Sequence, residues 1–361
     1  MGNPLTPDVL ADPVALTRAL VDIESVSGNE KEIADCVEAV LRAAPHLSVD
    51  RLGHTVVART DLARTDLGRP QRVVLAGHLD TVPLADNFPS TAVGDLIYGC
   101  GTSDMKSGAA LALHLAVAVA QPRYDVTYLF YEAEEVEAER NGLNLVSKAR
   151  PDWLAADFAI LLEPTYGLVE AGCQGTLRVD VTATGRRAHS ARSWLGSNAI
   201  HAAGRVLTIL DGYRARQVTI DGCTYREGLN AVRIHGGVAG NVIPDRCVVE
   251  VNYRFAPDRS EEAAAAHVRQ LFDGYEIDVR DTAPGALPGL TAAPAQEFLA
   301  AVGQPPLAKL GWTDVSRFAA LGIPALNFGP GDPNLAHTRE EHVEVGKIRA
   351  GAGTLLRWLV G

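Results

Sequence analysis

The 361 residues contain no Cys-x-x-Cys pair, and the five cysteines (Cys36, Cys100, Cys173, Cys223 and Cys247) are an odd number. Neither a disulfide framework nor a thiolate zinc site is signalled, and a reducing cytoplasm is the expected setting. No apolar run is long enough to span a bilayer. The most apolar one, 109–120, carries His114 and predicts a buried helix. The first twenty residues hold early prolines and acids and no apolar core, so no signal peptide is expected. Basic residues are not in excess. The formal charge is −11, which argues against nucleic acid as a partner, because phosphate binding wants a basic face. With 47% hydrophobic and 21% charged residues, the chain is not of disordered composition. No internal repeat or low-complexity run occurs.

What is present is an alternation of short apolar runs with helical stretches. Residues 12–44 place apolar side chains at helical spacing, as at Ile33, Val37, Val40 and Leu41. Apolar runs follow at 73–76, 126–131 and 158–162, separated by predicted helices at 106–121 and 140–149. This order predicts an α/β domain with a mixed, largely parallel sheet, and polar residues just after each run are where ligands gather in such sheets. Near residue 177 the pattern changes. Strand-like segments at 177–184, 231–235, 247–255 and 276–280, with helices at 197–211 and 260–272, predict a small α+β module. From about 288 the α/β character returns, with a strand at 323–328 and a helix at 345–359. The expected organisation is one domain, 1–176 and 288–361, interrupted by an insert at 177–287. The insert has fourteen Arg, no Lys and thirteen Asp plus Glu, against a net −12 for the remainder. Arginine suits the gripping of carboxylates by paired hydrogen bonds.

Five segments carry chemistry. In Gly77-His78-Leu79-Asp80 the Asp can turn back on the far ring N–H of the His and fix its tautomer. Gly99-Cys-Gly-Thr-Ser-Asp104-Met-Lys-Ser-Gly108 enters the apolar helix. Met105 stands where a phosphate loop needs glycine, so a nucleotide site fails. Glu132-Ala-Glu134-Glu135 offers adjacent carboxylates, one to bind a cation and one to move a proton. Glu163 precedes Pro164, and a loop rich in glycine and proline delivers His337. Each segment alone is compatible with ordinary polar structure, an N-cap or a solvated turn. Together they supply two His, an Asp and two or three Glu at predicted strand ends. Such nitrogen and oxygen ligands suit zinc, cobalt or manganese.

Taken in order, G-H-L-D-T-V-P, G-x-G-T-S-D-M-K-S-G, E-A-E-E, E-P-T and A-H-T-R-E-E resemble the M20 metallopeptidases, the aminoacylase–carboxypeptidase family. The resemblance implies a zinc-binding α/β domain interrupted by a lid or dimerisation domain, and an enzyme hydrolysing the amide bond of an N-acyl amino acid. It implies that His78, Asp104 and Glu163 hold one divalent ion and Asp104, Glu135 and His337 a second, with Asp80 orienting His78 and Glu134 as general base. It also implies a cis peptide at Asp104–Met105 and a homodimer. Further cues lie at 171–178, 187–196, 237–245, 252–260 and 311–318. By the same resemblance His189 reaches across the dimer to an oxyanion, and Arg178, Asn241, Arg254 and Thr313 contact a substrate rich in carboxylates. The rival expectations are another N-acyl amino-acid amidohydrolase or dipeptidase of the family, and a binding protein that kept the fold without catalysis.

Overall fold

The computed structural model describes residues 2–60 and 71–361. Contacts divide the chain into two units. One comprises Met1–Ala171, Pro288–Leu307 and Arg317–Gly361, and the other Gly172–Leu287 with Ala308–Ser316. The second unit thus includes a segment, 308–316, well beyond the expected end of the insert.

Among the described residues, an eight-stranded sheet, in the first unit except for Ala308, runs in the order Ser48–Leu52, Thr55–Arg59, Asp125–Tyr131, Arg72–His78, Phe158–Leu161, Ala325–Asn327, Glu170–Ala171 and Leu307–Ala308. The four strands from Asp125–Tyr131 to Ala325–Asn327 are mutually parallel, and antiparallel strands flank them. The sheet is therefore mixed and largely parallel at its centre, as the apolar runs predict. Those central strands are almost wholly buried, as expected when helices cover both faces. Register sets the ligand-bearing ends side by side. Ala76 pairs with Leu161, and Leu162 N donates to Ala76 O at 2.8 Å. The pairing runs from Val73–Phe158 to Ala76–Leu161, and His78 and Glu163 each lie two residues beyond its end.

The helix Lys106–Ala118 is buried along most of its length, as its largely apolar sequence from Gly108 onward requires. It approaches the sheet closely because Gly108 has no side chain: a Cβ there would lie 2.0 Å from the carbonyl oxygen of Leu162. The expected helical stretch at 12–44 divides into Pro13–Val21 and Lys31–Arg42. Between them Gly28 takes φ +97°, a conformation that breaks a helix.

The second unit is built on an antiparallel sheet in the order Gly228–Gly236, Arg246–Phe255, Gly175–Thr184, Glu276–Ala283. The helices Ala199–Gly212 and Glu261–Leu271 pack Ala203, Val206, Ala264 and Val268 onto Leu177, Val179, Val181, Val249 and Val251. Alternation along Gly175–Thr184 places these apolar residues on one face.

Candidate metal centre

The candidate site assembles within the first unit at the carboxyl ends of its parallel strands. His78 ends the Arg72–His78 strand and is 1% exposed. Its Nδ1 lies 3.0 Å from the backbone carbonyl of Asp80 and 3.4 Å from Asp80 Oδ1. A carbonyl only accepts, so Nδ1 carries the hydrogen and Nε2 is left to face the site. Nε2 is 3.2 Å from Asp104 Oδ1. The orienting contact is thus closer to Asp80's backbone oxygen than to its carboxylate. That carboxylate has wider work: it accepts from the N–H of Glu134 at 3.0 Å, from the N–H of Glu135 at 3.2 Å and from Ser27 Oγ at 2.7 Å. One buried aspartate therefore fixes both the histidine and the acidic turn.

The turn is shaped by Ala133, a non-glycine residue at φ +56°. Its N–H donates to the buried Glu30 at 3.2 Å. His337 also has a positive φ, +62°. Such strained positions persist where surroundings over-determine them. His337 Nε2 lies 2.9 Å from Glu135 Oε1 and 3.4 Å from Asp104 Oδ2. Asp104 therefore presents one oxygen to each histidine. The peptide that follows it, Asp104–Met105, is cis, as the family resemblance implies.

Among the described residues, ligand atoms of His78, Asp104 and Glu135 all lie within 4.8 Å of one another. Charge is concentrated here. Burial pulls the His78 pKa down, but Asp104 and Asp80 outweigh it and raise it well above its usual value. Asp104 and Glu135 push His337 up to about 10. Asp104 is held below the usual carboxylate range by His337 and His78 despite its burial. Two carboxylates facing two imidazole nitrogens at these distances call for positive charge between them, supplied by protons or by a divalent cation. The mixed nitrogen and oxygen donor set fits zinc, and also cobalt or manganese. Glu163 is buried two residues past the end of Phe158–Leu161.

The remaining expected residues fall in the second unit. Arg178 pairs with Asp281 at 2.8 Å. Arg178 stands opposite Asn252, and Arg254 opposite Thr176, on adjacent strands, so all four side chains share one face. Burial, with Arg178 nearby, lowers the Arg254 pKa from its ordinary value. His189 is exposed and its Nδ1 accepts from the Ala191 N–H at 3.1 Å. The next residue, Ser190, donates its N–H to Asn241 O at 2.9 Å, which sets the His189 and Asn241 segments side by side. Thr313 is buried in segment 308–316.

Residue patterns missed three supports of the site. Ser27 and Glu30 bracket the acidic turn from the loop before Lys31–Arg42, and nothing local marks them. Glu341 is 1% exposed and accepts backbone N–H groups of the 101–104 loop. It lies inside the A-H-T-R-E-E run, and that run is the only signal for it.

The model for peptidase family M20/M25/M40 matches residues 74–360. The chain is 58% identical to a DapE protein of Mycobacterium tuberculosis, over 98% of this chain and 99% of that one. It is 50% identical to the succinyl-diaminopimelate desuccinylase of Corynebacterium glutamicum, over 99% of this chain and 100% of that enzyme. A crystal structure of a Staphylococcus aureus tripeptidase superposes with a TM-score of 0.78 at 20% identity, covering 97% of each chain.

Proposed function

The chain belongs to peptidase family M20/M25/M40, and from that premise we propose that it hydrolyses the amide bond of N-succinyl-LL-2,6-diaminopimelate, giving succinate and LL-2,6-diaminopimelate. The reading makes it a metal-dependent hydrolase in the synthesis of diaminopimelate and lysine, acting in the cytoplasm. The observation that carries the substrate is the full-length identity to the Corynebacterium desuccinylase. The observation that supports the chemistry is the convergence of His78, Asp104, Glu135 and His337.

His78, Asp104 and Glu163 would hold one ion and Asp104, Glu135 and His337 the other, with zinc the proposed metal. A bound pair of divalent ions supplies an acidified water and a polarised acyl carbonyl at neutral pH. Glu134 takes the proton of the attacking water and returns it to the departing nitrogen. Its backbone N–H donates to the Asp80 carboxylate, and the Asp80 carbonyl accepts from His78. His189 of a second subunit donates to the developing oxyanion. Arg254 and Arg178, sharing one sheet face, receive substrate carboxylates, with Asn241 and Thr313 completing the pocket. Neighbouring guanidinium groups favour an acidic acyl group over a neutral one.

Dimerisation is part of this reading. The edge strand Gly228–Gly236 leaves Val232 59% and Ile234 48% exposed, and Val238 beyond it 64%. An apolar exposed edge is a template for pairing with another chain, and a two-fold axis would close it. The test is hydrolysis of N-succinyl-LL-2,6-diaminopimelate by zinc-loaded protein, with N-acetylornithine in parallel. Preference for the succinyl compound, lost on chelation, is the expected result. Preference for N-acetylornithine would overturn the substrate, and silence on both would overturn catalysis.

A further inference from the structure

We infer that Glu341 is a positioning residue for the metal centre: its carboxylate holds the 101–104 loop so that Asp104 stands between the two histidines. The inference rests on the reading of Asp104 as a metal ligand. Oε1 of Glu341 accepts from the N–H groups of Ser103 at 2.8 Å and Asp104 at 3.0 Å, and Oε2 accepts from the N–H of Gly101 at 3.0 Å. Three converging backbone donors make a concave anion site, here filled by a side chain from almost 240 residues away. The neighbouring main chain adds to the grip. The Glu341 carbonyl accepts from Gly99 N at 3.0 Å, and the His342 carbonyl accepts from Ser103 Oγ at 2.8 Å.

The placement couples two ligand-bearing segments. His337 lies four residues before Glu341, and the Glu341 N–H closes the intervening turn onto Thr338 O at 3.3 Å. One short turn thus carries both a histidine of the site and the anchor of the loop that carries the aspartate. Across the centre His337 Nε2 stands 3.4 Å from Asp104 Oδ2. Loss of the carboxylate would leave three N–H groups seeking partners in a buried place, and the loop would settle elsewhere. Bonds to a carboxylate are also stronger than bonds to a neutral amide, so Gln is not an equivalent replacement. One end of a Gln amide would present N–H to N–H.

The discriminating measurement is divalent metal affinity, by zinc titration calorimetry with a competing chelator, on wild type, Glu341→Gln, Glu341→Asp, Glu340→Gln and Leu355→Ala. Glu341→Gln should bind zinc about 10–100-fold more weakly, the usual effect of removing a residue that orients ligands, and kcat should fall with KM little changed. Glu341→Asp keeps the charge on a shorter arm and should fall between. Glu340 is exposed, and Glu340→Gln should match wild type. Leu355, fully buried in the Val345–Val360 helix, lowers melting temperature on truncation but should leave zinc affinity alone. Wild-type affinity in a folded Glu341→Gln, or an equal loss in Leu355→Ala, would overturn the inference while leaving the metal reading intact. If Glu341→Gln does not fold, Glu341→Asp decides by the same titration, and unchanged affinity there is equally fatal. A wild type that binds no divalent ion would overturn the metal reading and this inference with it.

Discussion

Gly108→Ala joins the packing of the fold to the geometry of the site. At this position a Cβ would lie 2.0 Å from Leu162 O and 2.8 Å from Leu162 Cβ. Ordinary contact begins near 3.4 Å, so the helix and the strand end must separate by 3.4 less 2.0, about 1.4 Å. Neither side yields easily. Leu162 N is bonded to Ala76 O at 2.8 Å, and Lys106 N, in the first turn of the helix, to Gly101 O at 2.8 Å. Leu162 immediately precedes Glu163, and Lys106 follows Asp104 by two residues. Metal ligands must sit within about 0.2 Å of their proper distances, so the shift exceeds that tolerance several times over. Alanine would gain up to about 1 kcal/mol of helix propensity, while overpacking costs about 1–3 kcal/mol or more, and a backbone oxygen in the way puts this case at the upper end. The net loss is about 2 kcal/mol, or roughly 4–8 °C in melting temperature at about 2–4 °C per kcal/mol. Gly204→Ala is the control, since its Cβ would meet nothing within 4 Å. It should be neutral or stabilising. Calorimetric melts and zinc titration read both effects. A Gly108→Ala protein melting at or above wild type with unchanged zinc affinity would refute the argument.

Other expectations follow from the same geometry. Glu134→Gln should retain metal and lose about 10²–10⁴-fold in turnover, and near-normal turnover would remove Glu134 as the base. In the metal-free protein Asp104 and Glu135 raise the His337 pKa to about 10, and Asp104 and Asp80 raise that of His78, whereas ligation needs neutral imidazole. Zinc binding at pH 7 should therefore release at least about one proton, that of His337, and affinity should rise with pH. Calorimetry in buffers of different ionisation enthalpy counts the protons released, and a proton-neutral binding event contradicts the assignment. His337 has a raised pKa in the folded state, so its contribution to stability is full below about pH 6.5 and is lost as pH climbs toward about 10. Metal-free protein should accordingly melt lower at pH 9 than at pH 7. Ile234→Asp on the exposed edge strand should turn a dimer into a monomer in sedimentation. A dimeric variant would move the interface elsewhere.

Much of the catalytic-unit framework was legible because fully buried parallel strands must be continuous apolar runs. The runs at 73–76, 126–131 and 158–162 became Arg72–His78, Asp125–Tyr131 and Phe158–Leu161, and His78 and Glu135, at or just past the ends of the first two, come together with Asp104. The hairpin Ser48–Leu52 and Thr55–Arg59 was not legible. Its first strand sets two adjacent charged residues, Asp50 and Arg51, between Val49 and Leu52 and so lacks strand alternation, and its turn is held by a distant acceptor, Glu132 Oε1, 2.8 Å from His54 N. The break inside 12–44 is of the same kind. Ser25 donates to Leu79 O and Ser27 to Asp80, bonds that reward a loop where local spacing favours helix. Asp80 was assigned to one histidine, yet its carboxylate is shared among three donors from two other segments. Sequence pattern names the residue type that chemistry needs. It is silent on partners separated by fifty or two hundred residues.

The chain order of the first unit has a consequence for its synthesis. Glu135 and His337 touch across 202 positions, and the whole Gly172–Leu287 segment is translated between them. At roughly 5–20 residues per second, about 10–40 s separate the emergence of the acidic turn from that of its histidine. Through that interval Phe158–Leu161 also waits for Ala325–Asn327, its parallel neighbour in the finished sheet. The nascent chain thus carries an open sheet edge and a half-built cation trap through the whole synthesis of the other unit's antiparallel sheet, whose last strand ends at Ala283. The candidate centre is therefore complete only once nearly the whole chain has been made.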